Sequence, residues 1–180
     1  LFLWRVLVSF LFFVTSILFS IQGYAQIVVV GNQTANALAQ SLVGTGVTVS
    51  NATLVCPQDA NGLFSVTPPA ISNLGLDGGI ILTSGRAETV GALLGANGAG
   101  TAGTPSLSNS APGDVDLTTL ALTPTNDACV LEFDFIPLGD TIKFDYVFSS
   151  VEYQNFTCSN FGDIFGFFIS GPGITGPFTG

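Results

Sequence analysis

Carboxylates and cysteines are the side chains of this chain with chemistry to offer. The run from Ser149 to Asp163 gathers Glu152, Asp163, Asn155, Asn160, Tyr153, Phe156 and Phe161 between two apolar segments. Glu152 and Asp163, with Asn160 or backbone carbonyls, form a hard-oxygen set of the kind Ca²⁺ takes, without EF-hand spacing. The competing reading is a packed connection whose carboxylates cap backbone amides. Glu132 and Asp134 form a second pair, about 7 Å apart on one face if the run is a strand. Two carboxylates suffice for glycoside hydrolysis, but a solvated strand face explains this pair more simply. Cys56, Cys129 and Cys158 imply one disulfide and one leftover thiol. Cys129–Cys158 is the first choice, because each stands next to a predicted core strand. Cys56–Cys158 is the second, and Cys56 could otherwise pair with a residue beyond Gly180.

Other chemistries are excluded by what is missing. The chain has no His, which removes Ser-His-Asp and Cys-His nucleophiles and every His-containing zinc site. There is no C-x-x-C. The glycines of 95–100 lack the preceding strand and the Lys-Ser/Thr of a phosphate loop. No catalytic residue is assigned, and the expectation is a protein that is not an enzyme. Three N-x-S/T sequons start at Asn32, Asn51 and Asn155, relevant only where the source glycosylates.

These residues need a scaffold, and the pattern describes one made of strands. In 129–136, Cys129, Leu131, Phe133 and Phe135 share a face opposite Glu132 and Asp134. After the turn Pro137-Leu-Gly-Asp140, Ile142, Phe144, Tyr146 and Phe148 share a face opposite Thr141, Lys143 and Asp145. The two runs read as an antiparallel hairpin with its rings in the core. Asp163–Ser170, apolar on both faces, reads as a central strand in which Gly166 lets a ring approach closely. Shorter strands are expected at 27–30, 47–55, 64–66 and 80–83. Thr34–Val43 is the one helix, capped by Thr34 and ended by Gly44. Residues 91–113 are low in complexity and read as a loop. The expected fold class is all-β: an antiparallel β-sandwich or jelly roll with one short N-terminal helix.

The first 25 residues set the compartment. Arg5 precedes an apolar run of about 14 residues, too short for the ~20 that span a bilayer. Gly23-Tyr24-Ala25 offers small residues where a signal peptidase cuts. Residues 1–25 are therefore read as a signal peptide and 26–180 as a single exported domain, where disulfides persist. With no Met and a Gly/Pro-rich end, the chain reads as part of a longer protein. Twelve acidic residues against three basic ones disfavour nucleic acid and anionic lipid as partners. Such a surface could hold a divalent cation, Ca²⁺ being the cofactor considered, although an acidic coat is also ordinary solubility for a secreted protein.

The run from Thr125 to Tyr153 (Thr-Asn-Asp-Ala-Cys-Val-Leu-Glu-Phe-Asp-Phe-Ile-Pro-Leu-Gly-Asp-Thr-Ile-Lys-Phe-Asp-Tyr-Val-Phe-Ser-Ser-Val-Glu-Tyr), with Phe161-Gly-Asp-Ile-Phe-Gly-Phe-Phe-Ile-Ser-Gly-Pro-Gly-Ile, resembles the choice-of-anchor L domain. Leu42–Asn51, Gly79–Gly85 and Gly113–Leu120 fit the same pattern. The resemblance implies an exported module of bacterial surface and secreted proteins, with an anchor or sorting domain beyond Gly180. It carries no established biochemical activity. Val151 stands where the family usually has Glu, and Gly162 where it usually has Asn, so the nominated Ca²⁺ loop lacks one carboxylate and one amide. The expected function is that of a secreted or cell-surface, non-enzymatic module for adhesion or for binding an extracellular glycan or protein, within a larger exported protein. A ligand-free structural spacer is the first alternative and a carboxylate-dependent glycoside hydrolase the second.

Overall fold

The computed structural model describes residues 27–66, 74–87, 108–150, 156 and 158–176. The predicted signal peptide and most of the low-complexity loop lie outside these residues. The described chain is built from antiparallel strands and two short helices. In order these are β1 (Ile27–Gly31), α1 (Ala35–Leu42), β2 (Thr48–Val55), β3 (Asn61–Val66), β4 (Gly78–Leu82), α2 (Val115–Ala121) and β5 (Val130–Ile136). One sheet has the order β1-β3-β4 and the other pairs β2 with β5. Among the described residues all ladders are antiparallel, and neither sheet closes into a barrel.

The Ile-Val-Val-Val run makes β1 a natural strand, since β-branched side chains suit the pleat. It pairs from Ile27↔Val66 to Gly31↔Gly62. Asn32 and Gln33 then turn the chain into α1. The Thr34 hydroxyl accepts a hydrogen bond from the Ala37 amide at 3.2 Å, satisfying one of the helix's orphan donors. Leu38 and Ala39 are fully buried, and α1 contacts strands of both sheets. The core thus gathers around Leu38, Ala39, Ala60, Phe64 and Ala87, with Ile27 beside them.

The predicted helix is present but is not N-terminal: it follows β1. A second helix, α2, was not foreseen. The Asp114 carboxylate caps it, accepting from the Leu117 amide at 2.9 Å, and Asp116 adds favourable negative charge to the first turn. The helix leaves through Leu122 at φ 58°. Its return is laced to its entry. Pro112 bridges Asn126, the Asp114 amide donates to Thr125 Oγ1 at 3.1 Å, and the Thr118 and Thr125 hydroxyls meet at 2.8 Å.

In β5 the predicted alternation holds: Leu131, Phe133 and Phe135 are half-buried, while Glu132, Asp134 and Ile136 are exposed. Its partner is not the following segment. The expected 129–136/141–148 hairpin is replaced by a β2·β5 ladder running from Thr48↔Ile136 to Val55↔Val130, with an irregularity between Ser50 and Thr53. That bulge moves the half-buried set of β2 from Val49 to Ala52 and Leu54, so a strict two-residue period cannot describe this strand.

The other aromatic runs also depart from expectation. Residues 141–149 and 160–170 form no strand, and their rings are not core: Phe144 is 42%, Tyr146 62%, Phe165 45% and Phe167 53% exposed. The rings do find each other. Phe144 packs on Phe167 with centroids 4.2 Å apart, and Tyr146 stacks on Phe165 at 5.3 Å. Two residues forward on one segment thus match two residues back on the other, an antiparallel register without a ladder. Gly166 plays the expected role: a Cβ there would sit 2.7 Å from the Phe168 ring and 2.9 Å from Leu117 of α2.

The disulfide joins Cys56 to Cys129, and Cys158 is an exposed free thiol. This corrects both the Cys129–Cys158 pairing and its alternative, Cys56–Cys158. The ladder gives the reason. Val55 faces Val130, so the next pair outward is Cys56 and Cys129, with Cα atoms 4.0 Å apart. The bond spans a sequence separation of 73, which the chain-entropy model translates to about 4 kcal/mol.

Cys129→Ser should therefore cost about 4 kcal/mol in chemical denaturation, while Cys158→Ser should stay within about 0.5 kcal/mol. Titration of the unreduced wild type should find one free thiol. A backbone test is also available. A Cβ on Gly113 would collide with the Thr125 carbonyl, whereas one on Gly139 would meet nothing within 4 Å. Gly113→Ala should destabilise by about 3 kcal/mol and Gly139→Ala by less than about 0.5 kcal/mol, read from denaturation midpoints.

Candidate functional site

Of the predicted Ca²⁺ set, Glu152 lies outside the described residues. Asn160 and Asp163 are both exposed. A local turn ties Ser159 to Phe156. The Ser159 amide donates to the Phe156 carbonyl at 2.9 Å, the Phe161 amide donates to Ser159 Oγ at 3.1 Å, and Cys158 sits at φ 65°. Phe156 and Phe161 meet edge to face at 5.5 Å. Two exposed rings, an exposed thiol and the exposed Asn160 and Asp163 side chains thus lie close together in sequence. Among the described residues, no three of the His, Cys, Asp and Glu side chains group closely enough to hold a metal ion.

The second pair, Glu132 and Asp134, stands on the exposed face of β5. Asn51 Nδ2 donates to Asp134 Oδ2 at 2.6 Å, and Thr53 Oγ1 donates to Glu132 Oε2 at 3.4 Å. Both donors come from the bulged stretch of β2, where Asn51 takes φ 51°. Each carboxylate is therefore one half of a cross-strand polar pair that steadies the β2·β5 ladder.

Two polar junctions were not visible in the sequence. Asp127 is 7% exposed, and its oxygens accept from the Ala111 amide at 2.7 Å, the Asn109 amide at 3.1 Å and the Ser108 hydroxyl at 3.1 Å. Asn109 extends the junction by donating to the carbonyls of Ser84 and Gly85 at 2.7 and 3.1 Å. The second junction joins β1 to β3. Asn32 Nδ2 donates to Asp59 Oδ1 at 2.5 Å, and the Asp59 amide returns a bond to Asn32 Oδ1 at 2.9 Å. Buried Asn61 accepts from the Gln33 amide at 2.8 Å. Asn32, Asp59 and Asp127 all have positive φ, a region that Asn and Asp tolerate better than most residues. The available signal was an Asn or Asp beside Gly, Pro or Ala at a change of element; nothing in it named a partner. Asn32 and Asn51, the described sequon residues, both have their carboxamides engaged in these contacts.

Removing the buried hub should matter far more than removing an exposed partner. Asp127→Ala strands three donors and should cost about 2–4 kcal/mol; Asp134→Ala should stay within about 0.5 kcal/mol. Paired urea denaturation curves measure both.

No curated protein and no solved structure matches the chain. A family model described as the choice-of-anchor L domain matches residues 27–179. That span includes the capped helix, both sheets, the crosslinked strands and the aromatic segments. The chain belongs to the choice-of-anchor L domain family.

Proposed function

We propose that this chain is an exported, non-enzymatic adhesion module that binds an extracellular glycan or protein at the cell surface. Family membership and the disulfide both suggest an extracellular or surface protein. The disulfide is the observation that carries the reading, because such crosslinks persist in oxidising compartments. Among the described residues no helix is long and apolar enough to cross a membrane.

The binding surface is assigned to the loop that ends at Asp163. Loops on a rigid scaffold are where recognition commonly resides. This one presents Asn160, Asp163, Phe156 and Phe161 to solvent. Glu152, Asn160 and Asp163 together are the place where Ca²⁺ would join the contact, through hard oxygen donors.

The test is a glycan array and a surface-protein capture assay on the disulfide-intact domain, each with and without Ca²⁺. The expected result is saturable binding that falls at least tenfold in the Asn160→Ala, Asp163→Ala double variant, with its thermal midpoint unchanged. Binding to nothing on either platform favours the spacer reading. Turnover of a polysaccharide, abolished by Glu132→Gln, would establish the hydrolase instead.

A further inference from the structure

We infer that the ring-lined face made by alternate residues of 142–148 and 163–169 is an isologous interface, on which a second copy of this chain docks. The inference does not depend on the adhesive reading. Ile142, Phe144, Tyr146, Phe148, Phe165 and Phe167 are each roughly half exposed. Phe144 lies on Phe167 and Tyr146 on Phe165, so the alternate positions of the two segments present one continuous surface. The same register, carried two residues further each way, sets Ile142 beside Ile169 and Phe148 beside Asp163. Phe168 is no part of this face: its ring lies with Leu117 of α2 against Gly166.

The area is that of a dimer. A large side chain carries ~200 Å², so the six half-exposed ones leave about 600 Å² open. Closing two such faces on each other buries about 1,200 Å², which clears the ~1,000 Å² of a biological interface and falls at its weak end. The face is also its own complement. A two-fold axis lying in the face along the segments sets Phe144 over the partner's Phe167 and Tyr146 over the partner's Phe165. An axis across the segments sets Phe144 over the partner's Tyr146. Either way rings meet rings, as an isologous contact requires. Other occupants fit less well. A glycan site pairs its rings with convergent polar groups, and the polar side-chain groups of this face are the Tyr146 hydroxyl and, at one corner, Asp163. An anionic membrane meets a chain of net charge −9. The same charge opposes self-association, but Asp163 apart it is carried outside the ring face and is screened by salt. A dimer held by rings against that repulsion tightens as ionic strength rises, the reverse of a charge-held contact.

The test is sedimentation equilibrium of the purified, disulfide-intact protein over a range of concentration and salt. The expected result is a monomer–dimer equilibrium of micromolar strength that tightens at least threefold between about 0.05 and about 0.5 M NaCl. Tyr146→Glu with Phe165→Glu should weaken it at least a hundredfold, with the denaturation midpoint of the dilute monomer unchanged. Mixing that variant with a Tyr146→Lys, Phe165→Lys copy should restore a one-to-one dimer. Should the variants not fold, hydrogen exchange of the wild type decides: amides 142–148 and 163–169 should slow with rising protein concentration while those of β1 do not. The inference is overturned by a monomer at every concentration, by protection of the face that is the same at every concentration, by association that weakens with salt or survives the glutamate substitutions, or by a dimer that Cys158→Ser abolishes and that is therefore a thiol crosslink.

Discussion

The covalent clamp at one end of the β2·β5 pair is the constraint on which the described fold depends. A two-stranded sheet is marginal in water, and these strands are brought together across a long intervening chain whose closure costs entropy. The Cys56–Cys129 bond sits one position beyond the last ladder pair, Val55↔Val130, and removes much of that cost from the unfolded side. Everything between its ends, including β3, β4 and α2, folds within the closed loop. α1 lies outside that loop but contacts both sheets, so its buried Leu38 ties the clamped pair to the three-stranded sheet.

Within this frame the polar side chains serve the joints. Asp127 gathers three donors where 108–111 meets the approach to β5, and Asn61 with the Asn32–Asp59 pair fixes the β1–α1 corner. Buried polar groups are tolerable because each is paired. Glu132 and Asp134, the most enzyme-like pair in the sequence, stand on an outer strand face as partners of Thr53 and Asn51. The chemistry of the described residues is that of a crosslinked scaffold presenting loops, which suits a module that works outside the cell.

The legible parts of the sequence were those set by local rules. Thr34 and the spacing of Leu38 located α1 within a residue or two, and the alternation of Leu131, Phe133 and Phe135 located β5. Val49 and Leu54 marked β2, although its bulge hid the change of phase. Partner choice was not legible. Alternation says which side chains share a face, and it does not say which strand lies alongside. Assuming that sequence neighbours pair gave a β5 hairpin, and assuming that 163–170 is a core strand beside Cys158 gave the wrong disulfide. The aromatic runs at 142–148 and 165–169 misled for the same reason: their pattern states a need for cover without naming what provides it. α2 was missed because β-branched Val115, Thr118 and Thr119 weaken the helical signal, though Asp114 stood ready as its cap. Asn160 and Asp163 are both exposed near the end of the nominated loop, while their grouping with Glu152 rested on proximity in sequence alone.

The central claim is that an oxidised β domain operates outside the cytoplasm. The most direct measurement is peptide mapping, without reduction, of the protein recovered from fractions of its native cells. The account predicts a Cys56–Cys129 crosslinked peptide in the surface or secreted fraction, together with a mature N-terminus at Gln26. Recovery from the soluble cytoplasmic fraction with residues 1–25 attached and all three cysteines as free thiols would contradict it.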